Sequence, residues 1–192
     1  MNWMKKVAVA LVCLLPLGLQ AAKIDTLQVK SPSMNKSIEV VVVSPDVAAT
    51  KACPVIYLLH GYGGNACTWV GIKPDLPKIA DEKGIFFVCP DGKNTWYWDS
   101  PLNADVRYET FISDELVNSH YKTVADRKGR AITGLSMGGH GAMWNGLRHS
   151  DVFSAAGSTS GGVDIRPFPK NWEMSVQIGE KAKYPENWEK YT

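Results

Sequence analysis

Read as apolar and polar positions, the chain opens with two β-branched runs, "DTLQVKS" from Asp25 and "SIEVVVVSP" from Ser37, separated by the turn-forming "PSMNK". That pattern predicts an antiparallel pair of strands. "CPVIYLLHG" and "GIFFVCPDG" follow as apolar runs without alternation, the signature of central strands covered on both faces. Between them a helix is predicted from about Pro74 to Lys83. A second helix is predicted from about Asp105 to Tyr121, where Tyr108, Ile112 and Leu116 recur every four residues and make one apolar stripe. "RAITGLS" reads as the next strand, and "MGGHGAMWNGLRHSD" as a helix with Met143 and Leu147 on one side and small residues near its start. "VFSAAGSTSG" reads as a last strand, and the Trp-, Pro- and Lys-rich remainder as short helices joined by turns. The order predicts one α/β domain with a mostly parallel sheet of six strands and helices on both faces. In such sheets ligands sit beyond the carboxyl ends of the strands, which singles out the loops "HGYGGN", "PDGKNTWYWDSP", "GLSMGG" and "STSGG".

One of those loops carries chemistry. "GLSMG", Gly134 to Gly138, is a G-x-S-x-G run between a predicted strand and a predicted helix. A tight turn there holds the serine hydroxyl above the sheet, and the glycines make room where side chains would meet the helix or the next strand. The following helix points free N–H groups and its positive end at the serine, which favours negative charge developing on a bound acyl carbonyl. Ser136 is therefore the candidate nucleophile. The amide of Met137 is one candidate oxyanion donor, and the amide of Tyr62 in "HGYGG" is the second.

"PVIYLLHGYGGN", "FVCPDG", "WYWDSP", "AITGLSMGGHGAM" and "LRHSDVFSAAGSTSG" occur in an order and spacing similar to the esterase branch of the α/β-hydrolases. That branch comprises esterase D and feruloyl-esterase-like proteins. The resemblance runs from about Ile38 to Gly162. It implies a serine esterase with a Ser, Asp, His triad, and a sheet of eight strands of which six are present. The triad acid and histidine follow the nucleophile in that family on two further strands that this sequence does not show. The domain, residues 22–192, is thus expected to be C-terminally incomplete, with its triad Asp and His unassigned.

The histidines present have structural readings. His60 is expected to brace the oxyanion loop, His140 to lie beside its helix, and His120 and His149 to cap helix ends. Asp99, Asp114 and Asp164 are candidate acids only where a histidine needs orienting. Trp96, Trp98 and Asp99 are candidate substrate-binding residues, the tryptophans stacking on sugar or phenolic rings. The alternative for the tryptophans is packing beneath the loop.

Composition narrows the setting. A formal charge of +2 with no run of like charges gives no reason to expect a nucleic-acid partner. "MNWMKKVAVALVCLLPLGLQAAK" has a basic start, an apolar stretch from Val7 to Leu19 and small residues at Ala21 and Ala22, which is the pattern of a secretory signal peptide over residues 1–21. The stretch is shorter than the roughly 20 residues that span a bilayer, so a secreted or periplasmic protein without a stable membrane anchor is expected. Removal of the leader takes Cys13 with it and leaves Cys53, Cys67 and Cys89, either with Cys67 and Cys89 paired or all three free. No metal-ligand spacing occurs, and no cofactor is implied. Export and the aromatic loop point to acyl esters on plant polysaccharides, feruloyl or acetyl. Short-chain acyl esters without a carbohydrate, and a non-catalytic protein that holds carbohydrate through a surface including Trp172 and Trp188, are the alternatives.

Overall fold

The computed structural model describes residues 22–119 and 127–192. The leader expected over residues 1–21 and the cap expected of His120 lie outside the described residues. Six strands, β1 (Lys23–Ser31), β2 (Lys36–Ser44), β3 (Val55–Leu59), β4 (Phe86–Pro90), β5 (Arg130–Gly134) and β6 (Ala155–Ala156), form one sheet in the order β1-β2-β4-β3-β5-β6. β1 and β2 make the expected antiparallel hairpin, with Val29 opposite Ile38. β2 pairs antiparallel with β4, and the pairs β4–β3, β3–β5 and β5–β6 are parallel.

Helices cover both faces. Val41, Val43, Leu58 and Phe87 point to one side, where Leu76 and Ala80 of α2 (Leu76–Lys83) pack on them and Trp69 of α1 (Thr68–Ile72) joins. Val40, Val42, Tyr57, Leu59 and Val88 point to the other side, toward α3 (Tyr108–Thr110), the π-helical turn Phe111–Leu116 that continues it, and α4 (Met137–Arg148). The alternation within "VVVV" of β2 is what divides the core into two layers. Gly84 ends α2 in the left-handed conformation, at φ 63°, where a residue without Cβ closes the helix at little cost.

Two sequence expectations change, the start of the second helix and the extent of the last strand, and α4 takes an orientation the pattern left open. The second helix starts at Tyr108 rather than Asp105, because Asp99 accepts from the Thr110 N–H and hydroxyl at 3.0 and 2.6 Å and sets the start; its expected end near Tyr121 falls outside the described residues. α4 buries Met137, His140, Ala142, Trp144 and Asn145, while Leu147 is exposed, since the glycines of the helix let it approach β3 and β5 along its small-residue side. The last strand shrinks to Ala155–Ala156. Beyond it the chain still follows β5, with Gly157 N–H on the Ile132 carbonyl, Thr159 N–H on the Gly134 carbonyl and a single bridge between Leu135 and Thr159, until the chain bends at Ser160, at φ 53°.

Residues 163–192 contribute α5 (Met174–Ile178) and α6 (Pro185–Lys190) and fill the second core layer with Ile165, Met174, Ile178, Trp188 and Tyr191. The three described cysteines are free thiols. Cys89 is buried, and burial, followed by the nearby Cys67, pushes its thiol up to about 12.

Candidate functional site

β5 delivers the chain into a sharp turn at Ser136, which adopts φ 54° and ψ −116° before α4 begins at Met137. A non-glycine residue held there stores on the order of 1–3 kcal/mol of backbone strain. The flanking glycines show why the turn closes: a side chain on Gly134 would be driven into the Gly138 carbonyl, and one on Gly138 into the carbonyls of Leu59 and His60. Ser136 is pinned from behind, its N–H on the Thr159 carbonyl at 2.8 Å and its carbonyl accepting from the His140 N–H at 3.0 Å. Its side chain is exposed.

The loop after β3 lies against this turn. A methyl group on Gly61 would sit 3.6 Å from the Ser136 Cβ and 3.3 Å from the Leu135 carbonyl oxygen. Among the described residues neither the Tyr62 nor the Met137 N–H has a backbone acceptor. His60 braces the loop from below: Nδ1–H donates to the Gly61 carbonyl at 2.7 Å, and Nε2 accepts from the Gly92 N–H at 3.0 Å. The Tyr97 hydroxyl donates to the His60 carbonyl at 3.0 Å.

Two residues of this arrangement carry no sequence signal of their own. Asn94 accepts from the Gly63 N–H at 2.9 Å, and its side-chain NH₂ donates to Glu173 at 3.3 Å. Burial, then hydrogen bonding to Glu173, raises the Tyr62 phenol above its ordinary range. Glu173 stands 79 residues from Asn94 in the sequence, at positive φ, so only the fold brings the pair together. A carboxylate from the α5 region thereby holds the candidate oxyanion loop.

The other described histidines, His140 and His149, are also engaged. His140 is buried against Trp96, Trp98 and Trp144; its Nδ1–H donates to the Gly162 carbonyl at 2.6 Å, and its Nε2 accepts from the Trp98 indole N–H at 3.0 Å. Burial pushes its pKa down to about 4, so the ring is neutral over the physiological range. His149 was expected to cap carbonyls with its ring, but Nε2 lies 2.9 Å from Glu109, which also accepts from Arg148 and Trp144. A buried carboxylate outcompetes the helix carbonyls for that ring. The candidate acids are likewise committed: Asp114 accepts from Asn118, and Asp164 takes the Arg166 guanidinium, whose bonds hold its carboxyl down to about 2.

The aromatic loop is core. Trp98 is 0% exposed with its N–H on His140, and Trp96 is 4% exposed with its N–H on the Trp172 carbonyl. Neither ring has a free face for a substrate, and both oxygens of Asp99 are held by Thr110. Packing is therefore the reading that fits all three. Trp188 is also buried, whereas Trp172 is 45% exposed and tilts against the exposed Phe168 at 5.5 Å. No cluster of three metal-binding side chains occurs among the described residues.

Comparisons with known proteins place this arrangement. Residues 31–191 match the family model described as "Putative esterase". Esterase Rv1288 of Mycobacterium tuberculosis (strain ATCC 25618 / H37Rv) is 28% identical over 149 residues, covering 72% of this chain and 32% of its own length. The endo-1,4-beta-xylanase/feruloyl esterase of Xylanibacter ruminicola is 34% identical over 123 residues, covering 57% of this chain and 17% of its own. Among solved structures, the fluorophosphonate-binding serine hydrolase FphF of Staphylococcus aureus superposes with a TM-score of 0.73 at 20% identity, covering 83% of this chain and 67% of that one, a likeness of fold. The chain spans about a third of the length of the first curated relatives it matches. Because the family match runs through both the Ser136 turn and the loop that faces it, the chain belongs to the putative esterase family, built on the α/β-hydrolase fold.

Proposed function

We propose that this chain is an exported carboxylic ester hydrolase in which Ser136 is the acyl-accepting nucleophile. The observation that carries the reading is the Ser136 turn itself: a strained, exposed serine at a helix N-terminus, facing a glycine loop. Ser136 Oγ attacks the ester carbonyl, and the oxygen that gains charge is received by the amides of Met137 and Tyr62. Collapse breaks the ester C–O bond, the leaving oxygen takes up the proton lost by Ser136 and departs as the alcohol, and water then cleaves the acyl-serine to the carboxylic acid and the free hydroxyl. The base that takes the hydroxyl proton is none of His60, His140 and His149, whose bonds commit them elsewhere.

The substrate class proposed is an acyl ester on a plant polysaccharide, feruloyl or acetyl. Its support is the xylanase/feruloyl esterase relative and the exposed Trp172–Phe168 pair, which offers the aromatic surface that the buried Trp96 and Trp98 do not. The same pair would serve a protein that holds carbohydrate without cleaving it.

The full chain, exported and treated with a fluorophosphonate probe, tests the reading. A covalent adduct mapped to Ser136, absent from S136A, together with release of ferulate or acetate from arabinoxylan is the expected result. Retention on arabinoxylan with no adduct at Ser136 would replace catalysis with the binding reading. Cleavage of p-nitrophenyl acetate without release from arabinoxylan would leave an esterase of short acyl groups.

A further inference from the structure

Asp81, on α2, gathers two backbone N–H groups from distant parts of the chain. Oδ2 accepts from Ala22 at 2.7 Å, and Oδ1 accepts from Asp46 at 2.9 Å. Ala22 is buried in the apolar layer with Val43, Leu76 and Ala80, one residue before β1 begins. The carboxylate thus fixes the start of the sheet onto a helix 59 residues away.

The charge around Asp81 is unbalanced. Among the described residues no Lys, Arg or His forms an ion pair with it. The neighbouring charge is another carboxylate, Asp46, whose pKa is raised by burial and then by Asp81 itself. The Asp81 carboxylate, with no ion-paired cation among the described residues, thus meets the one backbone nitrogen that a leader ending at Ala21 would turn into an amine.

We propose that the chain is cut between Ala21 and Ala22 and that Asp81 is the receptor for the α-ammonium so formed. The inference rests on the reading of residues 1–21 as a secretory leader. A leader peptidase adds water across the Ala21–Ala22 amide, leaving a carboxylate on Ala21 and an amine on Ala22. That amine has an ordinary pKa of about 7.7–8.0, so it carries a proton at neutral pH. A neutral N–H···O bond then becomes a charge-assisted one, shorter-ranged in geometry and about twice as strong. A cut one residue earlier or later would move the ammonium by about 3.3 Å along the strand, away from Oδ2. Processing and the seating of β1 are therefore one event: the cut supplies the cation that the Asp81–Asp46 pair lacks.

The test exports the full chain, sequences the N-terminus of the product, and compares it with a chain carrying a Gly-Ser insertion before Ala22, in which the Ala22 nitrogen stays an amide. The expected product begins Ala-Lys-Ile-Asp. D81N, which removes the charge and replaces one of the two acceptor oxygens by an amide donor in both chains alike, is expected to lower Tm by about 4 °C in that product and by clearly less in the inserted chain. Should D81N not fold, the rate of reductive methylation of the α-amine decides: slow in the product beginning at Ala22, fast in the inserted chain. An uncut chain overturns the leader reading itself. A correct cut with equal Tm losses, or equal methylation rates, overturns only the role given to Asp81.

Discussion

The indole N–H of Trp98 donates to Nε2 of His140 at 3.0 Å, so the histidine nearest Ser136 in sequence is held as a hydrogen-bond acceptor inside an aromatic cage. Because Trp98 has only a donor to offer, the ring proton must sit on Nδ1, toward Gly162. The unfolded chain protonates this ring near its ordinary 6.5, whereas the folded chain resists until about 4. A depressed histidine makes stability complete above pH 6.5 and erodes it as the pH falls toward 4, by roughly 3 kcal/mol in all. Urea midpoints measured from pH 7.5 to 4.5 are expected to fall over that window, and to fall less in H140N. An unchanged slope in H140N would assign the loss to other groups.

The two glycines Gly138 and Gly71 are expected to respond to alanine in opposite directions. At Gly138 the added methyl meets backbone carbonyls of Leu59 and His60, which have no rotamer to yield, so G138A should cost about 3 kcal/mol or more. At Gly71, in α1, nothing lies within 4 Å of the methyl, so G71A should gain about 0.5–1 kcal/mol from helix propensity. Urea titration of the two variants reads both signs.

Glu109 joins two helices. Buried beneath Trp144, it accepts from that indole at 2.7 Å and from Arg148 at 2.9 Å. Burial pushes its carboxyl up, but the bonds from Arg148, Trp144 and His149 outweigh this and hold it below its ordinary 4.5. Its contribution is therefore complete above about pH 4.5 and lost as the pH drops below that value. E109A is expected to cost about 2–3 kcal/mol at pH 7, and E109Q to remove this acid limb while keeping most of the shape. An acid limb that persists in E109Q would show that another carboxyl sets it.

The line Gly63, Asn94, Glu173 predicts a local effect on backbone opening. Amide hydrogen exchange in the segment 60–66 is expected to quicken about tenfold in N94A and in E173A, and to return toward wild type in E173Q, whose amide oxygen still accepts from Asn94. The double variant should open no faster than N94A. Additive acceleration would mean that the two residues hold the loop separately.

Much of the sheet was legible in the sequence because its signals are local. Apolar runs without alternation marked β3, β4 and β5, and the glycines around Ser136 marked the turn through the space they leave. What stayed hidden depends on partners far along the chain. A tryptophan in a loop suits a core and a binding surface equally, and the rings of Trp96, His140, Trp144 and Tyr191 packed around it decide that Trp98 is core. Leu147 shares a side of its helix with Met143, and the pattern left open which side faces inward; the small residues of α4 set the one that meets β5. Glu173 showed nothing until its tie to Asn94 was visible, and the ring of His149 needed Glu109, 40 residues earlier, to reveal its role.

The seating of Tyr191, with its hydroxyl on the Asp99 carbonyl and its ring stacked on Trp144 at 5.0 Å, has a consequence for the order of folding. Trp98 is made 92 or so residues before the ring that closes over it. At about 5–20 residues per second, synthesis leaves the aromatic loop without its cover for roughly 5–20 s. Under the proposed export, that delay would keep the core open while the chain is still being threaded across the membrane.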